Sequence, residues 1–167
     1  PLGFAFRDQP QLFVHFLKEP GFFYDDDSYN YTQVAENLRL GNGFSWNKEP
    51  PFKPEGFRTP IYPLFLLGHR VVFGSYNSAL VTQILLIAII AYLTYIIARD
   101  FANRPGVGLA AATLFTFYPF SLMVSLNFLT QTLFTFILML AVWTWLKFLK
   151  TSSNKYFLFS IILLPLS

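Results

Sequence analysis

Two long stretches without a formally charged residue dominate this sequence of 167 residues. The first comprises the 28 residues between Arg70 and Arg99, and the second comprises the 42 residues between Arg104 and Lys147. An α-helix needs about 20 apolar residues to cross a hydrocarbon core of about 30 Å. The first stretch therefore predicts one transmembrane helix, and the second predicts two that form a hairpin.

We place the predicted spans at residues 78–98, 106–124 and 128–146, with a turn at residues 125–127. The composition agrees with this placement, because 54% of the residues are hydrophobic and only 13% are charged. An average soluble domain has about 25% charged residues. The sequence therefore predicts an all-α, polytopic membrane protein.

Both ends of the chain have the composition of incomplete helices. Residues 1–7 are expected to be the tail of a first transmembrane helix, and residues 156–167 the start of a further one. Between them, residues 8–74 are interpreted as an external loop with short juxtamembrane helices. Residues 75–155 are interpreted as three transmembrane helices with cytoplasmic loops. On this interpretation the chain is an incomplete part of a larger protein.

The basic residues predict the orientation of these helices. They cluster in two predicted loops, which contain Arg99, Arg104, Lys147, Lys150 and Lys155. Two crossings separate the loops, so both lie on one face, which the positive-inside rule assigns to the cytoplasm. Residues 8–74 then lie on the outer face of a membrane, and we expect the plasma membrane of a bacterium or archaeon.

The predicted external loop contains eight of the nine acidic residues. Within it, the spacing of apolar residues predicts a helix over residues 29–40, with Asp27 or Ser28 as its N-cap and Gly41 as its C-terminal stop. A second apolar helix is predicted over residues 61–73, lying at the membrane interface. This loop is where a polar site is expected.

Three blocks of sequence in the loop and the hairpin occur in a recognisable order. They are Asp27-Ser28-x-x-Tyr31-x-x-x-Ala35-x-Asn37-Leu38, then Gly41-x-Gly43-Phe44 with Arg58-Thr59-Pro60-Ile61-Tyr62-Pro63, then Tyr118-Pro119 with Leu129-Thr130-Gln131-Thr132. Together they resemble the first and second external loops of GT-C-type membrane glycosyltransferases. That superfamily includes the protein O-mannosyltransferases and the aminoarabinose transferases that act on lipid A.

The resemblance implies transfer of a sugar from a polyprenyl-phosphate carrier to a lipid, glycan or protein acceptor on the outer face of the membrane. It implies that Asp27 is the catalytic base, because a carboxylate can remove the proton of an attacking hydroxyl. Arg58 and Lys53 are expected to contact the phosphate of the donor. Tyr31 and Gln131 are expected to contact the substrate. Attack from the opposite face inverts the anomeric centre without a glycosyl-enzyme intermediate.

Each of these residues also has a simpler interpretation. Asp27 can serve only as an N-cap, and Arg58 can serve only as an anchor to lipid headgroups. No cofactor is assigned, although the adjacent carboxylates of Asp25, Asp26 and Asp27 have oxygen ligands suited to a divalent cation. Gln131 departs from the superfamily, in which an acidic residue is common at this position. An amide cannot act as a base, so this departure puts a second acidic role in doubt.

The alternative function is that of a non-catalytic polytopic membrane protein, either a transporter component or an assembly subunit whose external loop binds a partner. Ionisable groups within the spans would favour a transporter, and the predicted spans contain none. Nucleic acid is not an expected partner, because the net charge of +3 reflects the two basic loops rather than a basic patch with interleaved aromatics. The chain contains no cysteine, which excludes disulfides and thiolate metal sites.

Overall fold

A computed structural model describes the backbone of residues 26–163 and the side chains of residues 27–163. The predicted helix tail at residues 1–7, the carboxylate of Asp25 and the apolar run beyond Leu163 lie outside the described residues. Within that range the chain forms seven helices and no strand apart from an isolated bridge between Ser45 and Pro54. The helices are α1 (Asp26–Leu40), α2 (Ile61–Phe73), α3 (Asn77–Ala102), α4 (Pro105–Thr116), α5 (Pro119–Ser125), α6 (Gln131–Thr151) and α7 (Asn154–Leu163).

Two of these helices are long and apolar enough to cross a membrane. They are α3, with 26 residues, and α6, with 21. Helices α4 and α5 pass the same test only when taken together, which gives up to three spans among the described residues. The prediction of an all-α membrane protein is confirmed.

The predicted middle span is not one continuous helix. Helices α4 and α5 are bent by 56° at the break between them. The cause is Pro119, which has no N–H to donate and which disfavours helical geometry in the preceding residue. Tyr118 accordingly has extended backbone angles, φ −73° and ψ 110°. In a continuous helix the carbonyl of Phe115 would accept from the N–H of residue 119, which proline lacks. It accepts hydrogen bonds from the hydroxyl of Ser121 at 3.3 Å and from the N–H of Tyr118 at 3.2 Å.

The described residues form two compact units, of which the first comprises residues 26–82 together with Asn127–Leu129. Helix α1 packs against α2 in this unit. The apolar side chains buried there include Val34, Ala35, Tyr62 and Leu66. Helix α2 has the predicted limits, and the residue after it is the C-cap Gly74, whose φ of +72° is favourable for glycine.

Helix α1 begins earlier than predicted. Because it starts at Asp26, both Asp27 and Ser28 lie in its first turn, and the prediction that either is the N-cap was wrong. The predicted stop is correct, since Gly41 has a φ of +81° and its N–H donates to the carbonyl of Leu38 at 3.2 Å.

The second unit comprises Gln83–Leu126 together with residues 130–163. Helices α3 and α4 approach closely at Gly108, where a Cβ would lie 2.6 Å from the carbonyl oxygen of Tyr95. Small residues permit such approaches between membrane helices. Helices α6 and α7 pack through aromatic rings, with the centroids of Phe148 and Phe157 5.0 Å apart. The buried side chain of Gln83 donates to the carbonyl of Ser125 at 2.9 Å.

Candidate functional site

Three charged side chains of the first unit meet beside the start of α1, and we refer to Asp27, Glu55 and Arg58 as the carboxylate–arginine cluster. Arg58 Nη2 lies 3.1 Å from Asp27 Oδ1, and Arg58 Nη1 lies 2.8 Å from Glu55 Oε2. Asp27 and Arg58 are 31 residues apart in sequence. The fold therefore brings together the predicted base and the predicted phosphate ligand.

The two carboxylates of the cluster have different environments. The side chain of Glu55 is only 2% exposed, whereas that of Asp27 is 66% exposed. Burial disfavours the charged form of Glu55, but the hydrogen bonds from the Phe57 N–H and the Arg58 guanidinium outweigh it and hold the pKa of Glu55 below its ordinary value. Glu55 is thus a fixed anion that positions Arg58, and Asp27 is the carboxylate that a ligand can reach.

Arg58 also contacts an aromatic ring. Its Cζ lies 5.2 Å from the centroid of the Tyr31 ring, within the range of a cation–π contact. The ring of Tyr31 in turn makes a T-shaped contact with the buried ring of Tyr62, with centroids 5.1 Å apart. Burial opposes the charged form of Arg58, but Glu55 and then Asp27 outweigh it and raise the pKa of Arg58. The guanidinium therefore stays charged and is held from three sides.

The loop that carries Glu55 and Arg58 is organised by one buried amide. Asn37, on α1, is almost fully buried. Its Nδ2 lies 2.9 Å from the Ser45 carbonyl, 3.0 Å from the Ser45 hydroxyl and 2.9 Å from the Asn47 carbonyl. Its Oδ1 accepts from Gln33 at 3.2 Å. Asn37 stands in the first of the three sequence blocks, but its residue type and spacing alone do not predict this role.

Lys53 does not join the carboxylate–arginine cluster. Its Nζ lies 6.0 Å from the centroid of the Trp46 ring, and its backbone N–H donates to Asn47 Oδ1 at 2.7 Å. Neither contact involves Asp27 or Arg58. Its expected role as a phosphate ligand stays a prediction.

The non-helical segment between α5 and α6 touches the start of α1. It comprises residues 126–130, so it overlaps the predicted turn at residues 125–127, but α6 begins at Gln131 and not at Phe128 as predicted. The backbone N–H of Phe128 donates to the hydroxyl of Ser28 at 3.1 Å, and Ser28 is fully buried. Asp27, the neighbour of Ser28, therefore stands next to the residues that connect α5 to α6. The charge pattern of the sequence predicts that the two loops lie on one face, but it does not predict this contact.

Gln131 belongs to the second unit, where it is the first residue of α6. It lines a cavity of about 270 Å³ together with polar residues of α5 and α6, which are Ser121, Thr132 and Thr135. The hydroxyl of Thr132 is buried and has no hydrogen-bond partner among the described residues. The predicted substrate contact thus faces a small cavity with an unused polar group.

No group of three metal-ligating side chains converges within the described part of the chain. The predicted cation site needs Asp25, which lies outside it, and the side chain of Asp26 is likewise not described. Binding of a divalent cation by these residues stays a prediction.

Comparisons with known proteins bear on the third sequence block and on the part of the second that begins at Arg58. The family model of the dolichyl-phosphate-mannose-protein mannosyltransferases matches residues 58–167, which is 110 of the 167 residues. That range contains Arg58 and Gln131 but not Asp27, Tyr31 or Lys53. No match was found among curated proteins or among solved structures. The chain belongs to the dolichyl-phosphate-mannose-protein mannosyltransferase family, a family of membrane glycosyltransferases.

Proposed function

We propose that this chain forms the acceptor-activating part of a GT-C-type glycosyltransferase that takes a sugar from a polyprenyl-phosphate donor. The acceptor is a hydroxyl of a lipid, glycan or protein, and the reaction takes place on the outer face of the membrane. One observation carries the proposal: the exposed carboxylate of Asp27 is ion-paired with Arg58, which is the first residue of the matched range. The proposed base and the proposed phosphate ligand are thereby adjacent.

Asp27 acts in this proposal as the general base. The acceptor oxygen attacks the anomeric carbon while its proton passes to the Asp27 carboxylate. The bond from the anomeric carbon to the phosphate oxygen breaks, and polyprenyl phosphate leaves as an anion. Attack opposite to the leaving group inverts the anomeric configuration, so no covalent intermediate forms. The 66% exposure of the Asp27 side chain leaves it accessible to an acceptor.

Arg58 binds the leaving phosphate. Its Nη1 stays paired with the buried Glu55, while the Nη2 edge, which faces the exposed Asp27, is available for exchange. A donor phosphate competes with Asp27 for that edge through charge-assisted hydrogen bonds. Binding of the donor would in this way release the carboxylate for the acceptor. Donor binding and base activation are then coupled through one guanidinium.

Gln131 orients a substrate hydroxyl or a phosphate oxygen. Its amide offers both donor and acceptor atoms, but it cannot take up a proton as a carboxylate does. The neighbouring cavity with the unpartnered Thr132 hydroxyl supports a polar ligand there. Asp27 is therefore the single base of this mechanism.

The base is tested by assaying the full protein in membranes with a labelled polyprenyl-phosphate sugar. Asp27→Asn should reduce transfer at least about 100-fold, the usual contribution of a positioned base. Glu49→Gln, an exposed acid of the same loop, should have no effect. Asp27→Glu should restore part of the rate. Undiminished transfer by Asp27→Asn would refute the assignment.

A role of Arg58 in binding the donor is distinguished from a purely structural role by measuring donor binding and turnover separately. Arg58→Lys keeps the charge but loses the bidentate fork, so we expect weaker donor binding with a smaller change in turnover.

The anomeric configuration of the product, compared with that of the donor by NMR, tests inversion directly. A retained configuration would contradict the single-displacement mechanism.

The outer-face location is tested by cysteine labelling, for which the chain has no native cysteine to interfere. Phe57 is fully exposed and Lys155 is exposed, so each tolerates a reporter cysteine. A membrane-impermeant reagent added outside intact cells should label Phe57→Cys and not Lys155→Cys. The reverse pattern would overturn the proposed orientation.

A further inference from the structure

A second cavity of the second unit lies where α3 and α6 end, at the opposite end of α6 from Gln131. Its volume is about 210 Å³, and its lining residues are Ile97, Asp100, Phe101, Trp143, Leu146, Lys147 and Lys150. Pockets for drug-sized ligands are usually about 300–1,000 Å³. This cavity is smaller, and one of its walls is formed by the exposed Phe101. Its size and apolar walls suit part of an acyl chain rather than a whole soluble metabolite.

The polar side of the cavity carries an excess of positive charge. Among the described residues that line the cavity, Asp100 is the single acidic one, and three cations lie close to it. Arg99 Nη2 lies 2.7 Å from Asp100 Oδ1, while the Nζ atoms of Lys147 and Lys150 lie 3.9 and 3.8 Å from Asp100 Oδ2. Both lysine contacts with the carboxylate are long, and Lys150 Nζ also donates to the backbone carbonyl of Asp100 at 3.2 Å. Because an ammonium has three N–H donors, each lysine retains hydrogen-bonding capacity. Among the residues that line the cavity, the two lysines and Asp100 leave a net charge of +1, because Arg99 is not one of the lining residues.

A buried donor lies in the same place. The indole Nε1 of Trp143 is buried and has no hydrogen-bond acceptor among the described residues. A buried N–H without an acceptor costs free energy, which a ligand oxygen would offset. This observation is independent of the charge excess, and both indicate a ligand with anionic and ester or phosphate oxygens.

We propose that this cavity binds an anionic phospholipid of the surrounding membrane. The headgroup phosphate lies between Lys147 and Lys150, and a headgroup or ester oxygen accepts the Trp143 N–H. An acyl chain packs against Ile97 and Leu146. Basic pockets between transmembrane helices suit anionic headgroups, because the ammonium groups neutralise the phosphate while the apolar walls exclude water. The site is separate from the proposed transfer reaction and does not depend on it.

Native mass spectrometry of the full protein in mild detergent tests this proposal. The protein is mixed with phosphatidylglycerol or with phosphatidylcholine of the same acyl chains, and the bound lipid is counted. We expect phosphatidylglycerol to be retained in preference to phosphatidylcholine. The double variant Lys147→Gln/Lys150→Gln should weaken retention by about fivefold for each lysine.

The matched control is Arg104→Gln/Lys155→Gln, which removes two positive charges that do not line the cavity. It should change retention less than about twofold, and Lys147→Arg/Lys150→Arg should restore binding if the glutamine variant is folded. Equal retention of the two lipids, or equal loss in both glutamine variants, would overturn the proposal. Displacement of the lipid by inorganic phosphate alone, or retention of polyprenyl phosphate in its place, would also overturn it.

Discussion

The two compact units are stabilised in different ways. In the first unit, buried polar side chains make hydrogen bonds to the loop and to α1. They include Ser28, Thr32, Asn37 and Ser45. In the second, helices pack through rings and through the close approach at Gly108, and two buried polar atoms, Thr132 Oγ1 and Trp143 Nε1, have no described partner. The difference follows from what surrounds each kind of segment, lipid around a membrane helix and water around a loop. A membrane helix satisfies its own backbone, whereas an irregular loop with a site needs side chains to satisfy and position it.

The largest effect is expected from Asn37→Ala, which removes the amide that organises the loop. Three acceptors, on Ser45 and Asn47, would lose their donor, and a buried polar group left without a partner costs about 1–3 kcal/mol. We expect the first unit to lose about 3 kcal/mol. The measurement is protection of residues 41–55 from limited proteolysis together with unfolding in detergent.

The control for this prediction is Gln33→Ala. That change removes only the 3.2 Å hydrogen bond to Asn37 Oδ1 and should cost about 1 kcal/mol or less. If the loop remained protected in Asn37→Ala, the polar network would not be what holds the first unit together.

A smaller effect is expected from Gly108→Ala in the second unit. The added Cβ would lie 2.6 Å from the Tyr95 carbonyl oxygen and 2.9 Å from Arg99 Cβ, so α3 and α4 would have to separate. Overpacking of this kind costs about 1–3 kcal/mol. Unfolding in mixed detergent micelles, followed by circular dichroism, measures it.

Gly106→Ala is the matched control, because a Cβ there would meet nothing within 4 Å. It should be neutral or slightly stabilising, since alanine is the better helix former. Equal destabilisation by both changes would show that loss of glycine, rather than the close contact with Tyr95, is responsible.

The smallest effect is a pH dependence of the first unit. The pKa of Glu55 in the folded chain lies below its ordinary value of 4.5, despite burial, because of the Phe57 N–H and Arg58. The charged carboxylate therefore stabilises the fold above about pH 4.5, and this contribution is lost as the pH falls through the lowered pKa. Glu55→Gln should flatten the acid side of the stability profile, measured by thermal unfolding between pH 6 and pH 3.

The exposed Glu49 provides the comparison. Glu49→Gln should leave the acid slope of the stability profile as it is in the unchanged protein. A profile that Glu55→Gln does not alter would mean that the pairing with Arg58 contributes no measurable stability.

Local sequence was enough for most of the helices. The uncharged runs predicted α3 and α6 because bilayer thickness sets helix length, although α6 begins at Gln131 and not at residue 128. Thr59-Pro60 and Gly74 bracket α2, whose limits were predicted correctly. The length of an apolar run does not predict the bend at Tyr118-Pro119, although the proline within the run is a signal for it. The start of α1 was also missed, since an acidic residue fits the first turn as well as the N-cap.

By itself, the sequence determined the class of this protein, the positions of its apolar helices and, through three short blocks, its resemblance to membrane glycosyltransferases. Only the tertiary structure decided which polar residues meet: that Arg58 pairs with both Asp27 and Glu55, that Asn37 holds the loop, and that Ser28 contacts the turn at Phe128. The reason is that hydrophobic length and periodicity are local properties of a chain. Ion pairs and buried hydrogen bonds join residues 31 or 100 positions apart, and no spacing rule encodes them.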